Sequence, residues 1–149
     1  MITADVRTTY DVTGKLKKGF SDMAQDAITK LVFDGEGVAK QAVTDYNAID
    51  TGALKSSIYA AVPGESHYGP AKSEALSKRP DAEIVSEHQL GGSAGRAIGL
   101  LAVGVAYGVY VNFGTAFMGA RPFWTRAVDS MIKQFGLTVG PMLRKRRIG

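Results

Sequence analysis

The chain has no cysteine and only two histidines among its 149 residues. Without cysteine neither a disulfide framework nor thiol chemistry is open to it, and His67 and His88 alone are too few ligands for a zinc site. A long hydrophobic run is missing too. The most apolar stretch, Ala97 to Val111, is broken by Gly99, Gly104 and Gly108 and falls short of the roughly 18 residues that suggest a membrane span. At the N-terminus, Met1-Ile2-Thr3-Ala4-Asp5-Val6-Arg7 shows no basic region followed by an apolar one, so a cytoplasmic product without membrane partners is expected. Catalytic signatures are equally scarce. Ser56 and Ser57 stand in no Gly-x-Ser-x-Gly elbow, and neither histidine has a cysteine or paired carboxylate at ligand spacing, so surface histidines and a non-enzyme are expected. No cofactor or metal is expected.

What is present fits one domain over residues 1–149. That length can bury about two thirds of the unfolded chain's surface, and 45% hydrophobic with 21% charged residues reads as globular. Eighteen basic against fourteen acidic residues leave +4. Four positive charges are contiguous at Arg144, Lys145, Arg146 and Arg147, so the rest of the chain is formally neutral. Such a basic tail, within 137–149, either is simply solvated or lies close to nucleic acid.

Residues 1–14 lack periodicity and read as an arm, with Thr9 to Thr13 a possible short strand. Leu16, Phe20, Met23, Ala27 and Leu31 then recur at helical steps, and Val38, Ala42 and Ile49 return in phase beyond Asp34-Gly35-Glu36-Gly37. Phase retention favours one long helix from about Lys15 to Tyr46 over two, although Asp34 falls on the apolar stripe. Lys17, Lys18, Asp22, Gln25 and Asp26 are expected to face outward. Ser57 to Val62 alternates and predicts a strand with one buried face. From Pro63 to Glu83 the composition predicts a projecting loop, with a helix-like interlude from Ala71 to Leu76. Ile84 to Leu90 reads as a second strand, Gly91 to Gly95 as a turn, and Ala97 to Val105 as a third strand whose glycines let another backbone approach. The glycine-rich turn matches neither the dinucleotide fingerprint nor the P-loop, so a hairpin is expected there.

Tyr107, Tyr110 and Val111 sit at helical steps, predicting a short helix that Gly114 caps. After Arg121, Pro122 suits a first helical position, and Phe123, Ala127 and Met131 form the apolar line of a last helix, widened by Trp124, Val128 and Phe135. Gly136 is expected to end it and Gly140-Pro141 to interrupt anything beyond. The aromatic residues Tyr107, Tyr110, Phe113, Phe117, Phe123 and Trp124 are expected in the core. Taken together, these elements predict an α+β fold: a long N-terminal helix and a C-terminal helix on one face of a small, mainly antiparallel sheet, the other face left for a neighbour.

Two segments stand out. Asp50-Thr51-Gly52-Ala53-Leu54-Lys55-Ser56-Ser57-Ile58 has a local reading, with Asp50 capping a short helical turn. The Asp-Thr-Gly triplet of aspartic proteases is disfavoured, because this one follows a helix and has no second carboxylate partner. The other segment runs from Tyr107 through Tyr110, Phe113, Gly114 and Thr115 to Ala120-Arg121-Pro122-Phe123. As an ordered pair they resemble the neck, or head-to-tail connector, family of long-tailed bacteriophages, which includes tail-completion proteins and minor tail components. The likeness covers most of the chain, leaving out the span before about Tyr10 and that from Pro63 to about Arg96.

The resemblance implies a structural virion protein at the head–tail junction, made in the bacterial cytoplasm. It would form a homo-oligomeric ring that joins the head-closure or adaptor protein to the tail terminator or tail tube, while genomic DNA passes through unread. The motif residues Asp50, Thr51, Gly52, Leu54, Tyr107, Tyr110, Phe113, Gly114, Thr115, Arg121, Pro122 and Phe123 would then build structure and interfaces. For Arg121 the alternatives are an intersubunit contact, a local salt bridge or a carbonyl cap. Family members usually carry glutamate where Asn112 stands, and a proline shortly before the Asp-Thr-Gly, where this chain has Asn47-Ala48-Ile49. Rival readings are a small nucleic-acid-binding protein working through Arg144 to Arg147, and a small hydrolase or toxin-like enzyme.

Overall fold

A computed structural model describes residues 7–12, 18–48, 52–90 and 97–147, with the backbone alone for 7–12, 18–22, 138–140 and 142–147. Asp50, Thr51 and the glycine-rich turn from Gly91 to Gly95 lie outside the described residues. So do the side chains of Leu16, Phe20 and Arg144 to Arg147.

The fold is α+β, and its centre is a four-stranded antiparallel sheet in the order β1-β4-β2-β3, formed by β1 (Arg7–Val12), β2 (Ile58–Val62), β3 (Glu65–Ser66) and β4 (Ala97–Val103). Thus the arm contributes a strand, pairing Thr9 with Leu100. The expected strand over Ile84 to Leu90 does not form. Only Ile84 makes an isolated bridge, to Val105, and the Tyr68 hydroxyl donates to the Val85 carbonyl at 2.9 Å, occupying an acceptor that a ladder would need.

Helix α1 (Lys18–Asp45) is continuous across Gly35 and Gly37. Its buried stripe is Ala24, Ile28, Leu31, Val32, Ala39, Ala42 and Val43, not the expected line through Met23, which is 52% exposed. The stripe is broader and rotated because α1 is covered on two sides, by the sheet and by α5 (Phe123–Arg147). Asp34 is therefore exposed and paired with Lys30. Gln25, expected to face outward, instead brackets the backbone of Ile98, accepting its N–H at 3.0 Å and donating to its carbonyl at 3.1 Å.

Glycine is required where elements touch. A Cβ on Gly99 would lie 2.7 Å from Ile28 Cγ2 and from Val32 Cγ1, so there β4 presses on α1 side chains, whereas one on Gly104 would lie 2.9 Å from the Ser57 carbonyl oxygen, the close backbone approach that the sequence predicts. A Cβ on Gly35 would meet Met131 Sδ at 2.5 Å, marking the α1–α5 contact. Those helices run antiparallel, since Arg126 reaches Asp45 while Met131 meets Gly35. Phe123, Ala127 and Met131 are buried as the spacing predicts. Gly136 does not end α5, and Pro141 lies inside it. An interior proline costs a helix about 3 kcal/mol or more, while the shown packing of α5 on α1 lies in its earlier turns, through Phe123, Ala127 and Met131.

The second sheet face is covered as well. All five β2 residues are buried, because Tyr59, Ala61, Leu100 and Ala102 pack beneath Ala71 and Tyr68 of α3 (Tyr68–Lys78), with Leu90 alongside. The segment expected to project as a loop folds as a hairpin turn, β3 and α3; the interlude from Ala71 to Leu76 was its visible part. No helix among the described residues is long and apolar enough to cross a membrane.

Candidate functional site

The two sequence motifs meet in space. Gly52, with φ 86°, leads into α2 (Ala53–Ser57), whose Leu54 is buried. A Cβ on Gly108, at the start of α4 (Gly108–Phe113), would lie 2.6 Å from Val103 Cγ1 and 3.3 Å from Leu54 Cδ1. Only glycine lets α4 sit this close to α2 and the end of β4.

Gly114 ends α4 as expected. Its N–H bonds the Tyr110 carbonyl at 2.8 Å, and its φ 78°, ψ 175° backbone belongs to a region open essentially to glycine. Thr115 then ties a tight loop: its N–H donates to the Met118 carbonyl at 2.8 Å and its hydroxyl accepts the Phe117 N–H at 3.2 Å. The Arg121 N–H returns to the Val111 carbonyl at 2.8 Å. This knot pushes Phe117 outward.

Half of the expected aromatic core is in fact surface. Phe123 and Trp124 are buried, but Tyr110 is 56%, Phe113 65% and Phe117 100% exposed. Six residues of α4 cannot bury every side of the helix, and the face toward α5 is taken by Asn112 and its neighbours. Three large rings exposed on α4 and the loop that follows it suit a contact with another chain.

Beside them opens a cleft of about 320 Å³, lined by Ala48, Gly52, Leu54, Lys55, Arg79, Tyr107, Tyr110, Val111, Met118 and Arg121. Both motifs contribute to it. The Arg79 guanidinium lies 5.1 Å from the centroid of the Tyr107 ring. Lys55 Nζ donates to Thr44 Oγ1 at 2.8 Å, and Arg121 Nη1 to the Asn47 carbonyl at 3.3 Å, which makes Arg121 a carbonyl cap. Asn47, with φ 53°, ends α1 in a Schellman arrangement: its N–H bonds the Thr44 carbonyl and the Ala48 N–H bonds that of Val43. A cation suits such a helix C-terminus.

Tertiary structure also assembles a cluster that spacing hid. His67 Nδ1 lies 2.8 Å from Glu36 Oε2 and its Nε2 3.8 Å from Glu65 Oε1, while Lys40 pairs with Glu36 at 2.9 Å and the Phe33 ring lies tilted against the imidazole, 4.6 Å between centroids. No paired carboxylate stands at ligand spacing in the sequence, yet the fold brings Glu36, 31 residues away on α1, to His67 beside Glu65 of β3, two residues before it. The signal was a lone acid, Glu36, on the buried stripe of a helix. The cluster joins α1 to the hairpin. Among the described residues no group of three or more His, Cys, Asp or Glu side chains is placed to hold a metal ion.

No protein-family model matches the chain, and no curated protein and no solved structure matches it with statistical significance.

Proposed function

We propose that this chain is a structural subunit of the phage head–tail junction, assembling into a ring between the head-closure layer and the tail terminator or tube, with DNA passing through. The observation that carries the reading is the convergence of the two motifs on one surface, where Tyr110, Phe113 and Phe117 stand exposed beside a cationic cleft. Residues of that kind are what a protein spends on contacts with other proteins, because burying them in its own core would stabilise the lone monomer more. The family resemblance of the same residues supplies the kind of assembly. Heterologous contacts between identical copies close into rings when the rotation relating the copies closes.

Mass measurement of the purified full chain, alone and mixed with the neighbouring virion proteins, tests it. A closed oligomer of defined copy number, or a defined complex with a neighbour, is expected. A monomer at every concentration, with and without those neighbours, would overturn the reading.

A further inference from the structure

The cleft has a charge pattern that its apolar wall does not explain. Lys55, Arg79 and Arg121 line it, and no acidic side chain does among the described residues. Among the described residues, two of these cations bond neutral oxygens, of Thr44 and Asn47. The third, Arg79, stacks on Tyr107 and meets the outlying carboxylate of Asp81 only at 3.6 Å. Ala48, Leu54, Val111 and Met118 supply the apolar surface between them.

We propose that this cleft is a docking site for an acidic peptide segment of another protein, with carboxylates held by Lys55, Arg79 and Arg121 and an aliphatic side chain laid against Leu54 and Val111. Guanidinium groups bind carboxylates in forked pairs, and such charge-assisted bonds gain strength in a partly desolvated concavity. A second copy in a ring is not the occupant through Phe117. Phe117 adjoins Met118 of the same cleft, so that contact would match one patch with itself and give a two-fold dimer rather than a ring. A nucleic-acid backbone would satisfy the cations but leave the apolar wall uncovered. The proposal rests on the functional reading above only in taking the peptide to come from a flanking protein of the assembly.

The test titrates the full chain with the peptide acetyl-Leu-Glu-Glu-Leu-amide, its glutamine counterpart acetyl-Leu-Gln-Gln-Leu-amide and a short DNA duplex, reading amide NMR shifts and affinity. Saturable binding of the acidic peptide is expected, with shifts centred on Leu54, Tyr110 and Val111. Lys55→Gln or Arg121→Gln should each weaken it roughly tenfold or more, and the charge-matched Lys133→Gln on exposed α5 surface should not. Thermal melts of all three variants establish that they fold. Equal binding of the glutamine peptide, displacement of the acidic peptide by the duplex, or no binding to the cleft would overturn the proposal. Asp50→Asn provides a further arm: acidic-peptide binding by that variant alone would mean that the chain's own carboxylate neutralises the cleft, which also overturns it. Peptide binding is read independently of oligomer mass, so failure of the ring and failure of the cleft are separate results.

Discussion

Asn112 and Trp124 are joined by a bond that sets where the last helix begins: the Asn112 side-chain carbonyl, on a residue only 1% exposed, accepts the Trp124 N–H at 2.9 Å. The same oxygen accepts the Thr125 N–H at 3.2 Å, and Nδ2 donates to Thr125 Oγ1. One amide on α4 therefore caps α5 from outside, serving N–H groups that have no partner within their own helix.

Asn112→Ala should cost about 1–3 kcal/mol, because it leaves the buried Trp124 N–H without its acceptor. Asn112→Asp should cost clearly less, since a carboxylate keeps the acceptor and suits a helix N-terminus. Chemical denaturation of both variants measures this. An alanine variant as stable as the parent would mean that water replaces the cap.

Gly99→Ala should destabilise by about 1–3 kcal/mol, the usual cost of forcing a methyl into a filled core. Its new carbon would stand 2.7 Å from two α1 methyl carbons, and neither helix nor central strand can easily retreat. Gly37→Ala, with open space around its Cβ, should be neutral or stabilising, as expected for alanine in a helix. The pair of melting curves decides whether space, not glycine content, is the issue.

Phe117→Ser removes a fully exposed ring, so monomer stability should stay within about 0.5 kcal/mol. If the chain assembles through this surface as proposed, assembly should suffer instead, with the variant's oligomer dissociating at concentrations where the parent remains assembled. Sedimentation of the two proteins side by side reads this. An unchanged oligomer would remove Phe117 from the interface.

Glu74 gives a pH dependence of defined sign. Its hydrogen bond with Lys78, then that with Ser56, holds its carboxyl below the ordinary glutamate range. A folded-state value below the unfolded one means stability that is present above the unfolded value and lost as pH falls through the folded one. The stability advantage of the parent over Glu74→Gln should therefore shrink between about pH 6 and about pH 3. Exposure of the pair keeps the effect small and salt-sensitive. A constant difference across that range would show that the carboxylate is not selectively stabilised by folding.

The long first helix, the short α4 with its Gly114 stop, and the buried line Phe123, Ala127 and Met131 were legible in the residues. Each is encoded by a local period or by a backbone angle that only glycine takes easily. Less legible was the phase of α1, because Ala24, Ile28, Val32 and Ala39 are buried by two different partners. Pattern reading assumes one apolar face per helix. The same assumption misplaced the surface aromatics: a ring's size says that burial would be favourable, not that the fold has room for it.

Local order along this polypeptide is written in its residue spacing and its glycines, since both act over a few neighbouring residues. Three features had to wait for the folded chain: α3 closing the second sheet face, α5 running on past Pro141, and the meeting of Leu54 with Gly108 that brings both motifs to one cleft. The first and the third depend on contacts between segments distant in sequence, where the area and space offered by a partner outweigh what any stretch prefers alone.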